Sequence, residues 1–128
     1  MSGVATVLIV EDEFAIADLL EMALTDEGYR VLHAANGRQG LERLAEEPRP
    51  DLVITDYMMP ILDGAGLLQA MRDHETQRDV PCIVMSSMPE ANVRERIADY
   101  AAFMRKPFQL DAVVQLVARV LSASRPET

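Results

Sequence analysis

Three acidic residues, Glu11, Asp12 and Glu13, follow directly on an apolar run, Val4–Val10. A fourth acid, Asp56, follows the run Leu52–Thr55. Ser86 and Ser87 follow Val80–Met85, and Lys106-Pro107 follows Ala101–Arg105. In an open parallel sheet, ligands bind outside the carboxyl ends of the strands. If these runs are strands of one such sheet, acids, a hydroxyl and a lysine converge on one edge. Glu11, Asp12 and Asp56 carry −3 and Lys106 carries +1, and packed carboxylates repel unless something positive sits among them. Oxygen ligands of this kind suit magnesium, which is commonly held by a few carboxylates plus phosphate oxygens, and its double charge would neutralise the cluster. An arriving phosphoryl group would then meet metal, lysine and a serine hydroxyl. Asp56 could attack phosphorus to give an aspartyl phosphate. Positioning and charge neutralisation would carry that reaction, with little acid–base work.

The pattern that must hold these residues alternates short apolar runs with amphipathic stretches. Val4–Val10 reads as a strand buried on both faces. Residues 14–27 read as a helix with Ile16, Leu20, Ala23 and Leu24 on one face, ended by Gly28. Tyr29–Ala34 is a second strand, and Asn36 caps a helix carrying Leu41, Leu44 and Ala45 inward. Pro48 and Pro50 end that helix before the third strand, Leu52–Thr55. After a turn through Pro60 and Asp63-Gly64, Leu67, Leu68 and Met71 mark a third helix. Val80–Met85 is the fourth strand, and Pro89 opens a fourth helix with Val93, Ile97 and Tyr100 on one side. Ala101–Arg105 is a short fifth strand, and Leu110, Val113, Val114, Val117, Val120 and Leu121 follow helical spacing. Five strand-then-helix units imply a doubly wound parallel sheet with helices on both faces.

Composition narrows the function classes. The chain has 128 residues, 49% hydrophobic and 26% charged, which suits one folded domain with a sizeable core. We place that domain at residues 1–122 and a short flexible tail at residues 123–128. No apolar run approaches the ~20 residues of a membrane span, and Val4–Val10 lacks the basic leader and cleavage site of a signal peptide. The single cysteine, Cys82, rules out an internal disulfide framework and fits a reducing cytoplasm. The whole net charge of −9 sits in residues 1–64, which hold thirteen acids and four arginines. Such a chain is repelled by nucleic acid phosphates and anionic membranes, so neither is an expected direct partner.

The segments VLIVEDE (7–13), LVITDYMMPILDG (52–64), PCIVMSS (81–87) and FMRKPF (103–108) resemble, together and in this order, the receiver domain of two-component response regulators. The resemblance runs from about Val4 to Leu121. It implies a flavodoxin-like α/β fold of five parallel strands in the order 2-1-3-4-5, with five helices. It also implies a stand-alone, chemotaxis-receiver-like signalling domain that takes a phosphoryl group from a histidine kinase or phosphotransfer protein. Asp56 is then the phosphoacceptor, and Glu11 and Asp12 hold Mg2+ together with Asp56 and the backbone carbonyl of Met58. Ser86 takes the place of the family's Thr/Ser, and Lys106 that of its lysine, followed by a cis bond to Pro107. Phe103 stands at the aromatic switch position, which moves with Ser86 to reshape the face of the fourth helix, fifth strand and fifth helix. That face would control partner binding and is the surface open to homodimerisation. Met58 and Met88, each two residues beyond a site residue, would limit water access to the acyl phosphate. The protein would catalyse only its own phosphorylation and dephosphorylation. Two departures stand out: the acidic pair is Glu-Asp rather than Asp-Asp, and Asp99 to Ala102 replace the family's Gly-Ala step in a shortened connection.

Plainer roles compete for several residues. Asp56 alone could be a turn former, and Glu13 suits the dipole of the helix it precedes. Ser87 reads as a cap of the fourth helix, Cys82 as a buried small hydrophobe, and His33 and His74 as ordinary residues without metal-ligand spacing. Rival functions are a receiver-like docking module that is never phosphorylated and an excised receiver of a longer regulator. A flavin-binding protein or an aspartate-nucleophile phosphatase on a similar sheet is remote. Flavin phosphate needs amides and hydroxyls where three acids follow the first strand, and Met58 occupies the position of the phosphatases' second aspartate.

Overall fold

A computed structural model describes residues 4–59 and 61–124. The expected positions Pro60 and 125–128 lie outside the described residues. The elements run β1 (Thr6–Val10), α1 (Phe14–Asp26), β2 (Arg30–Ala34), α2 (Gly37–Leu44), β3 (Leu52–Asp56), α3 (Gly64–Asp73), β4 (Cys82–Ser86), α4 (Glu90–Arg94), β5 (Ala102–Arg105) and α5 (Leu110–Ser124). All strand pairs are parallel, and the sheet order is β2-β1-β3-β4-β5. This is the flavodoxin-like architecture the sequence implied.

Strand alternation sends the apolar runs to two cores. Val7, Ile9, Leu52, Ile54, Ile83 and Met85 pack with Ala17, Leu20 and Leu24 of α1 and Val113 and Val117 of α5. Leu8, Val10, Val53, Cys82 and Val84 pack against Leu44 of α2, Leu67, Leu68 and Met71 of α3, and Val93 of α4. Because β1, β3 and β4 are buried on both faces, their sequences read as continuous apolar runs rather than alternating ones.

Local capping fixes the helix starts. The Asn36 side chain accepts from the Gln39 N–H, and the Asp63 side chain from the Gly66 N–H, so both begin a helix by satisfying an orphan amide. Gly64 starts α3 against the sheet: a Cβ there would lie 2.7 Å from the Asp56 backbone oxygen and 2.9 Å from Tyr57 Cα. Glycine permits that approach.

Several expectations change in detail. Ala45 is exposed, because α2 ends at Leu44 and Ala45 is the cap residue beyond its apolar stripe. The fourth helix stops at Arg94, although Ile97 is still buried. The Tyr100 hydroxyl donates back to Glu90 at 2.7 Å and accepts from Arg94 at 3.2 Å. Asp99 takes a left-handed φ of 62°, and its carbonyl accepts twice from Arg72, at 2.8 and 3.3 Å. Residues 97–101 therefore run as a tied connection back to the sheet. Ser87 does not cap α4: Pro89 holds the N-cap position, and the Ser87 carbonyl accepts from Arg105 Nε at 2.9 Å. Helix α5 continues to Ser124, past the domain end expected at residue 122.

Candidate functional site

The carboxyl ends of four strands meet at one cleft of about 340 Å³, lined by Asp12, Glu13, Asp56, Met58, Ser86, Ser87 and Lys106. Asp56 is the last residue of β3 and Ser86 the last of β4, while Glu11 and Asp12 follow β1 and Lys106 follows β5. The sheet itself aligns these tips, since Thr55 pairs with Val84 and Ser86 with Arg105.

Lys106 Nζ lies 2.9 Å from Glu11 Oε1 and 3.2 Å from Asp56 Oδ1. One carboxylate oxygen from each of Glu11, Asp12 and Asp56 lies within 4.8 Å of the other two. Burial pushes the Glu11 and Asp56 carboxyls above their ordinary range, against the opposing pull of Lys106. Burial would lower the Lys106 pKa, but its bond to Glu11 and the charge of Asp56 outweigh that and hold it above the usual lysine value. One ammonium thus faces three carboxylates, two of them buried. The remaining charge and the all-oxygen donor set fit a hard divalent cation such as magnesium.

Ser86 is buried, and its Oγ accepts from the Met88 backbone N–H at 2.9 Å. A hydroxyl has one proton and two lone pairs, so this bond uses a lone pair and leaves the proton to donate. The Met58 side chain lines the cleft but is 62% exposed, while Met88 is half-buried against the core on the α3 side. Phe103 pairs in register with Val84 and packs half-buried on that same core, away from the cleft lining. The bond between Lys106 and Pro107 is cis.

The structure adds two residues to the site's support. His33 Nε2 donates to the Glu11 carbonyl oxygen at 2.9 Å, and the His33 ring meets Phe14 edge-on at 5.6 Å. The Glu13 backbone N–H donates to Glu11 Oε2 at 3.1 Å. The sequence points to Glu13 only as a dipole partner and to His33 as an ordinary residue. The signal for His33 is its place one residue before the end of β2, in register with Ile9 and so two residues short of Glu11. His74 bonds locally to Thr76. Cys82 is buried, and burial pushes its thiol up to about 12.

A family model for the response regulator receiver domain matches residues 7–118. Response regulator MprA of Mycolicibacterium vanbaalenii is 33% identical over 125 residues, which cover 94% of this chain and 52% of the relative. The chain spans about half the length of the curated relatives it matches. The receiver domain of a signal transduction histidine kinase from Syntrophus aciditrophicus superposes with a TM-score of 0.86 at 32% identity, covering 97% of this chain and 95% of that one. A sensor histidine kinase receiver domain from Pseudomonas aeruginosa, with magnesium coordinated in its active-site cleft, gives 0.84 at 30% identity, covering 94% and 99%.

Proposed function

The chain belongs to the receiver-domain family of response regulators, and from that premise we propose that Asp56 accepts a phosphoryl group from a histidine kinase or phosphotransfer protein. The observation that carries this reading is the single cleft in which Asp56, Lys106, Ser86 and the acidic pair meet. An Asp56 carboxylate oxygen attacks phosphorus; a P–O bond forms as the P–N bond to the donor imidazole breaks, and the electron pair leaves with that nitrogen. Lys106 holds its charge beside Asp56, where negative charge accumulates on the phosphoryl oxygens. Ser86 retains a hydroxyl proton to donate to one of those oxygens. Glu11, Asp12, Asp56 and the Met58 carbonyl would hold magnesium, which when bound supplies positive charge to the transferring group.

Phosphorylation would act on partners through the face of α4, β5 and α5, with Ser86 and Phe103 as the moving residues, and the same face would serve a homodimer. Among the described residues no helix is long and apolar enough to cross a membrane, and we place the domain in the cytoplasm with its kinase. Phosphoryl gain and loss at Asp56 would be its own reactions, with no other substrate turned over.

Acetyl phosphate with Mg2+ tests the reading by intact-mass spectrometry. One phosphoryl adduct is expected on the wild type and none on Asp56→Asn. A wild type that stays unmodified would identify a docking module instead. Met58 and Met88 place two apolar side chains near the site. Met58→Asn combined with Met88→Glu is expected to speed loss of the adduct, measured by the same mass shift over time. An unchanged decay would remove the water-access role.

A further inference from the structure

Asp99 to Ala102 stand where the family has its Gly-Ala step, and within them Tyr100 closes a polar triangle with the fourth helix. The Tyr100 hydroxyl donates to Glu90 Oε2 at 2.7 Å and accepts from Arg94 Nε at 3.2 Å. Arg94 Nη2 lies 3.1 Å from the same Glu90 oxygen, so one carboxylate oxygen joins all three residues. The Tyr100 ring is half-buried against the core on the α3 side, as are Met88 and Phe103. The next residue, Ala101, is bonded to the sheet, its N–H donating to the Cys82 carbonyl at 2.7 Å. Tyr100 therefore reaches from the fixed approach to β5 across to α4.

That helix has little else to hold it. It is five residues long, its N-cap Pro89 makes no side-chain cap bond, and Val93 is its only buried residue. A helix this short is not stable by itself. Its start is joined to the cleft: Ser86 Oγ accepts from the Met88 N–H at 2.9 Å, and Glu90 follows two residues later. In the phosphorylation reading Ser86 moves toward the phosphoryl group and takes away the acceptor of the Met88 amide. Residues 87–90 are then released on the cleft side, while the Tyr100 bond still holds Glu90 on the other. A bond present in one arrangement and absent from the other biases their equilibrium by its own free energy.

We propose that Tyr100 is a latch: its hydroxyl, bonded to Glu90 and Arg94, holds α4 in the resting arrangement and must let go before the face of α4, β5 and α5 changes. The proposal rests on the phosphorylation reading and adds a regulatory residue outside the cleft. Tyr100→Phe keeps the ring against the core and removes only the hydroxyl, so it opens the latch without leaving a cavity. Phosphorylation then has less to undo, and the unlatched protein takes a phosphoryl mimic more tightly. A bond kept in both arrangements would leave that affinity unchanged.

Beryllofluoride with Mg2+ is the probe, titrated calorimetrically into the wild type, Tyr100→Phe, Glu90→Ala and the double variant. Tyr100→Phe should bind it about fivefold tighter, the effect of losing one partly exposed hydrogen bond from the resting arrangement alone. Glu90→Ala should gain a similar factor, and the double variant little beyond either single, because both substitutions remove the same bond. Amide exchange without the mimic should quicken over residues 90–94 in Tyr100→Phe and stay unchanged at β1 and β3. An affinity in Tyr100→Phe equal to or weaker than wild type overturns the latch. So do single gains that multiply in the double variant, or unchanged exchange over residues 90–94. A wild type that binds no beryllofluoride and acquires no adduct from acetyl phosphate overturns the phosphorylation reading and the latch with it. A wild type that binds the mimic, with no gain in Tyr100→Phe, overturns the latch alone.

Discussion

The cleft at the ends of β1, β3 and β4 and the connection from α4 to β5 are held by different means. The cleft residues stand at the tips of strands whose side chains are buried on both faces, so the sheet sets their positions to within a hydrogen bond. The connection has one short helix, Glu90–Arg94, and is tied by polar side chains: Arg72 to the Asp99 carbonyl, and Tyr100 to Glu90 and Arg94. A site that must place charges accurately sits on rigid elements. A segment proposed to change shape is fastened by bonds that individually contribute only about 1 kcal/mol.

The comparison breaks most visibly if Lys106 is removed. Lys106→Met leaves Glu11 and Asp56 as buried carboxylates without their counter-charge, and should cost about 3 kcal/mol, the low end for breaking a buried pair because the cleft is open to solvent. Urea unfolding measures it, and added Mg2+ should restore part of the loss. A cost near zero would mean the cleft is as loosely built as the connection.

Arg72→Met tests the other side. Its guanidinium bridges the carbonyls of Arg78, Val80 and Asp99, and its loss should cost about 2 kcal/mol. Amide exchange should quicken over residues 97–101 and stay unchanged at β1 and β3. Faster exchange at the cleft strands would show that the two regions open together.

A smaller effect comes from pH. The Glu11 and Asp56 carboxyls titrate above their unfolded values, chiefly because they are buried. Between the ordinary carboxylate range near 4 and those raised native values, the folded chain binds more protons than the unfolded one. Their contribution to stability therefore rises as pH falls through the native values and levels off below the unfolded ones. The Lys106 pKa is raised as well, so its contribution has the same sign but is lost only as pH rises into the strongly alkaline range. Without divalent cations, the urea midpoint should increase from about pH 7.5 to about pH 5, and Asp56→Asn should flatten that rise. An equal rise in both proteins would assign it to groups elsewhere.

Legibility in the sequence follows the same division. Apolar runs ending at Glu11, Asp56 and Ser86 announced both the strands and the site, because a strand buried on two faces has little freedom in composition and its tip is the first place a polar residue can stand. Val93, Ile97 and Tyr100 carry helical spacing, and Val93 and Ile97 are indeed buried. The helix still stops at Arg94, since the spacing reports burial and says nothing of the Arg72 and Tyr100 bonds that draw the chain into a turn. The seat of Lys106 on Glu11, 95 residues away, was likewise out of reach.

Taken alone, the amino-acid order determined the strand-and-helix alternation, the acidic character and the residues available for phosphoryl chemistry. Tertiary structure decided that Glu11 and Asp56 hold the lysine and where the fourth helix ends. The physical reason is that periodicity and charge are local properties of the chain, whereas ion pairing and capping depend on distances of a few ångströms that only strand register and packing set.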